Sequence, residues 1–132
     1  MRVKLRVMHT DLLEHHTAVL CEGFGLYDNE VLRYRESAPF SGSDTAEFGN
    51  TEIVLVHRGE TESVTVLRVM EAGTARVTTP FGEMECETVL RRYERYDERI
   101  LVEYDVLQEA AVVSRIRLEY FLHPEGAESL PC

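Results

Sequence analysis

In "VLRYRE", Tyr34 and Glu36 stand two residues apart, which on a strand puts a phenol and a carboxylate on one face and Arg33 and Arg35 on the other. If the following chain brings Arg58 alongside, the three groups converge. A guanidinium offers a fixed fork of donors to a carboxylate or phosphate, so the cluster could orient a ligand's polar head at the mouth of a barrel. The same residues could instead form a plain Arg58 to Glu36 ion pair that closes one end of the fold. Both readings require proximity, and only the first requires a cavity behind it.

Other chemistry-bearing residues have simpler readings. Tyr104 and Tyr120 fall in the rows Ile100, Val102, Tyr104, Val106 and Val112, Ser114, Ile116, Leu118, Tyr120, which alternate with polar residues and so face inward. Their hydroxyls need partners if buried and are natural contacts for a ligand's polar group, while the branched neighbours line a pocket or fill a core. Tyr34, Glu36, Arg58, Tyr104 and Tyr120 are therefore the candidate ligand-binding residues. In "TTPFGEMECETVL", Glu83, Glu85 and Glu87 alternate with Met84, Cys86 and Thr88. Same-face neighbours on a strand lie about 7 Å apart, too far to share a small ion, so this comb is a wet face and Met84, Cys86, Thr88 and Leu90 point inward.

His9, His15 and His16 cluster near Asp11 and Glu14, but adjacent histidines on a strand face opposite ways, so at most one of the pair can join His9. Cys21 and Cys86 read as small inward hydrophobes. No Gly-x-Ser-x-Gly elbow is present, and Gly23 and Gly25 in "CEGFGLYD" lack the third glycine and helix of a dinucleotide loop. We expect no catalytic residue, metal or cofactor.

The elements that must position these groups are strands. Period-two alternation marks Val3 to Val7, Glu14 to Leu26, Val31 to Glu36, Thr51 to Arg58, Glu62 to Met70, Ala75 to Thr79, Glu83 to Tyr93, Arg99 to Val106 and Val112 to Leu122. "CETVLRRYERY" and "VLQEAAVV" also tolerate short helices. Ser37 to Asn50, rich in Ser and Gly, reads as one long loop. Consecutive hairpins with one apolar face hide that face and their edges by closing. The expected fold is all-β: a single up-and-down antiparallel barrel of about eight or nine strands over residues 1–123, with a disordered tail at 124–132.

Charge and composition narrow the partners. The chain has 132 residues and a net charge of −10, which repels nucleic acid and anionic lipid. Arg91, Arg92, Arg95 and Arg99 stand beside Tyr93 and Tyr96, but Glu94, Asp97 and Glu98 nearly cancel them. Apolar runs are too short to span a bilayer, the N-terminus reads as carrying no signal peptide, and three cysteines without a CxxC pair suit a reducing compartment. We therefore expect a cytoplasmic protein with no nucleic-acid or membrane partner.

"TPFGEMECET" followed by "RILVEYDV" resembles the second half of the YwiB-like bacterial proteins, a domain of unknown function with a calycin-type, lipocalin-like β-barrel. "YRE" at Tyr34 to Glu36, the Arg58–Gly59 turn in "VLVHRGE" and the Thr79 to Gly82 turn fall in the same order. The resemblance runs from about Val3 to Tyr120. It departs at Gly49 to His57, where glutamate and apolar residues stand in place of polar and basic ones. It implies the calycin-like fold and a bacterial, cytoplasmic setting, and it transfers no catalytic residue. The leading functional expectation is non-enzymatic binding of a small, largely apolar ligand inside the barrel. The alternatives are a filled barrel acting as a protein-interaction module, and an enzyme of unknown reaction.

Overall fold

The computed structural model describes residues 1–125, and the expectation for the tail lies, from residue 126 onward, outside the described residues. Ten strands follow one another: β1 (Arg2–Asp11), β2 (His16–Asp28), β3 (Val31–Arg35), β4 (Ser43–Phe48), β5 (Glu52–Arg58), β6 (Glu62–Arg68), β7 (Gly73–Thr79), β8 (Gly82–Arg95), β9 (Arg99–Gln108) and β10 (Ala111–Pro124). Each pairs antiparallel with its neighbour in sequence, and β1 also pairs with β10, which closes the barrel. No helix forms among the described residues, so "CETVLRRYERY" and "VLQEAAVV" are strand and turn.

The all-β closed barrel is as expected, but among the described residues it has ten strands, where the sequence reading expects eight or nine. The extra strand is β4, inside the segment read as one long loop. Asp44, Ala46 and Phe48 face inward there while Glu47 is exposed, so "DTAEF" does alternate. Ser and Gly around it hide the period. The true loop is only 36–42, and it contains a cis Ala38–Pro39 bond.

Inward rows build an apolar core in the barrel. Val3, Leu5, Leu32, Phe48, Ile53, Leu67, Val102 and Tyr120 are each almost wholly buried. The rings of Phe48 and Tyr120 meet edge to face at 5.1 Å and 77°. β6 and β8 approach closely across Gly73: Thr88 Oγ1 donates to the Val66 carbonyl at 2.7 Å, and a Cβ on Gly73 would lie 1.9 Å from that oxygen. Only glycine fits there.

Two hairpins turn through paired left-handed residues, Asn29–Glu30 and Glu109–Ala110, the mirror-image turns that match strand twist. Outside, Glu83 and Glu85 are exposed beside Arg76, as the comb reading expects. Met84 and Val112 break the expectation of inward rows: both are exposed, Met84 near the β7–β8 hairpin end and Val112 because a bulge between Val112 and Ser114 shifts its register against β9. No helix of the described residues is long and apolar enough to cross a membrane.

Candidate functional site

Register assembles the site. Tyr34 on β3 sits opposite Asp44 on β4, Asp44 opposite His57 on β5, and His57 opposite Ser63 on β6. Side chains in one rung of a sheet point the same way, so this polar row enters the barrel together. Glu36 continues the face just past the end of β3, where its backbone N–H donates to the Gly42 carbonyl at 2.8 Å. Gly42 is opposite it and lacks a side chain for good reason, since a Cβ would lie 2.4 Å from His57 Cε1 and 2.8 Å from Glu36 Oε1.

His57 stands between two carboxylates. Its Nδ1 is 2.6 Å from Asp44 Oδ1 and 3.3 Å from Glu36 Oε2, while Glu36 Oε1 accepts the Gly42 N–H at 3.1 Å. One ligand-capable atom from each of the three residues lies within 4.8 Å of the others. The two acidic side chains are about nine-tenths buried, at 8% and 10% exposure, and the imidazole is 32% exposed. Burial, then the hydrogen bond and charge of Asp44, push Glu36 up to about 7, against the pull of His57 and the Gly42 N–H. The Glu36 carboxyl therefore stays partly protonated near neutrality.

Behind this cluster lies a cavity of about 340 Å³. Leu20, Phe40, Leu55 and Leu118 supply apolar wall, and Tyr34, Tyr104 and Tyr120 bring hydroxyls into it. Burial raises all three phenols. Tyr120 and the Asp44 carboxylate push Tyr34 further up, while the Tyr34 hydrogen bond partly offsets the rise at Tyr120. Tyr104 is pushed up to about 12 by burial alone, and its hydroxyl has no hydrogen-bond partner among the described residues. His9 also lines the cavity, where burial lowers it against a hydrogen bond to its own backbone and the charges of Asp11 and Glu36.

Four of the five expected residues, Tyr34, Glu36, Tyr104 and Tyr120, line this one cavity. Arg58 does not. β5 turns Ile53, Leu55 and His57 inward, so Arg58 is exposed on the outer face, and the partner facing Glu36 is His57. Asp44 and His57 are the residues the sequence reading misses. The signals that could find them are the alternation of Asp44, Ala46 and Phe48, and the position of His57 two residues beyond Leu55. His15 and His16 are exposed, away from the cavity that His9 enters. Cys21 is buried, and its thiol is raised by burial and partly restored by a hydrogen bond with Ser37. The arginines beside Tyr93 and Tyr96 are each paired: Arg91 faces Asp105, Arg92 faces Glu94, Arg95 faces Glu30 and Arg99 faces Glu119.

No protein-family model and no curated protein matches the chain. Among solved structures it is similar to the crystal structure of the ywiB protein from Bacillus subtilis, with a TM-score of 0.63 and 14% identity. The match covers 91% of this chain and 90% of that one. The two share a fold along almost their whole lengths.

Proposed function

We propose that the barrel binds a small, largely apolar molecule whose polar end meets Glu36, Asp44 and His57, and that it does no chemistry on it. One observation carries this reading: beside its packed core the barrel holds an apolar-walled cavity ending in a convergent polar cluster. A volume of about 340 Å³ falls within the roughly 300–1,000 Å³ of small-molecule sites. The unpartnered Tyr104 hydroxyl adds a second polar contact inside it.

The chemistry of the polar end differs from an arginine-lined mouth. With two carboxylates inside and Arg58 outside, an anionic head is repelled, and a hydrogen-bond donor or a positive group is accepted. The resemblance in motifs and the shared fold with the ywiB protein support reading the chain as a divergent, calycin-type YwiB-like protein of the bacterial cytoplasm.

Native mass spectrometry of the purified protein, followed by denaturing extraction, tests the binding reading. A neutral or cationic apolar molecule in the extract, or saturable binding of the apolar amine N-phenylnaphthylamine, supports it. A clean apo mass with no probe uptake overturns it.

A further inference from the structure

We propose that Glu36, Asp44 and His57 together bind one divalent first-row transition-metal ion, such as Zn²⁺, at the mouth of the cavity. The inference goes beyond small-molecule binding, because an ion can occupy the cluster while the cavity holds no apolar molecule.

The donor set is the first argument. One imidazole and two carboxylates are the ligand types that Zn²⁺ and its neighbours accept, and three protein ligands leave a coordination position open, here toward the cavity. The second argument is rigidity. Asp44 and His57 are opposite each other in a closed ladder, and Glu36 is pinned one rung on by the Gly42 ladder bond. The three donor atoms already lie within 4.8 Å of one another, so small side-chain rotations suffice to gather them on one ion.

Supporting contacts follow the pattern of groups that orient metal ligands. Gly42 N–H holds Glu36 Oε1 and leaves Oε2 directed at His57 Nδ1. Tyr34 stands opposite Asp44 and interacts with its carboxylate. Without an ion, the imidazole Nδ1 occupies the space between both carboxylates, where the metal would sit. No lysine or arginine lines the cavity, so among the lining residues only the histidines counter the two carboxylates, and a dication would offset their charge more fully.

The test uses chelator-treated protein and Zn²⁺ alone. Isothermal titration should give one ion per chain, and Co²⁺ in its place should give visible absorption of four- or five-coordinate intensity. His57→Ala, Asp44→Asn and Glu36→Gln should each weaken binding at least tenfold, with melting curves recorded to show that each variant is folded. His16→Ala should bind as the parent does. Absence of stoichiometric binding by the parent overturns the proposal, as does binding that survives His57→Ala and Asp44→Asn or falls with His16→Ala. Because the titration contains no apolar molecule, its outcome is independent of the extraction experiment.

Discussion

Asp44 and His57 face each other directly across β4 and β5, and the carboxylate Oδ1 lies 2.6 Å from the imidazole Nδ1. Asp44→Ala removes the shorter of the two acceptors for that nitrogen and the neighbour of the Tyr34 hydroxyl. In metal-free buffer the expected cost is about 1–3 kcal/mol, read as a lower denaturation midpoint with an unchanged slope. An unchanged midpoint would show that the polar row contributes nothing to folding.

Ala46 lies beside this pair on β4 and lines the cavity. Ala46 is itself almost wholly buried, so Ala46→Leu should push side-chain atoms toward the cavity at a cost of about 1–3 kcal/mol, with the fold retained. Uptake of N-phenylnaphthylamine should be lost. Retained uptake would place the probe elsewhere.

Gly73→Ala should be among the most damaging single-methyl changes in the chain. Its Cβ would meet the Val66 carbonyl at 1.9 Å, and backbone has no rotamer by which to yield. A loss of about 3 kcal/mol or more in chemical denaturation is expected.

Ala110→Gly should act in the opposite sense. Ala110 has φ 66°, a left-handed conformation that costs an alanine about 1–2 kcal/mol and a glycine little. Glycine's freer unfolded chain returns part of the gain, which leaves about 1 kcal/mol of added stability and a melting temperature higher by several degrees.

Alkaline pH should destabilise the fold through its phenols. Burial holds Tyr104 up at about 12 and raises Tyr120, so in the folded state both stay neutral where an unfolded tyrosine, near 10, is already ionising. Protons are then bound more tightly by the native state. The stability they contribute is complete below about pH 10 and falls as the pH rises through the folded values. Phenolate absorbance should therefore appear in two stages, the later one coinciding with loss of β-sheet ellipticity.

Alternation alone makes nine of the ten strands and four of the cavity residues legible, because a half-buried strand shows its inward face in every second residue. β4 is hidden by short length and turn-like neighbours. The error at Arg58 has a different cause. "IVLV" is apolar on both faces, so nothing local says whether Arg58 or His57 turns inward, and only pairing with β4 and β6 decides it.

The arginine bias, 13 of 14 bases, also becomes physical only in three dimensions. On the outer wall Arg115 forks onto Asp105 at 2.7 and 3.2 Å, and Arg117 reaches Glu103 through two nitrogens at 3.0 and 2.8 Å. Lysine has no planar fork with which to make these paired contacts.

The ladder between β1 and β10 joins Val3 to Pro124, residues almost the full described chain apart. Every other seam is a local hairpin, ready to form as soon as its two halves exist. This one is a long-range closure, so β1 must keep one side unpaired until the last strand has been synthesised. Loop-closure entropy then falls on a single late step. A chain stalled before β10 would display the apolar row of Val3, Leu5 and Val7 beside a bare row of amides and carbonyls, which is the surface on which a chaperone, or another nascent copy, can add a strand.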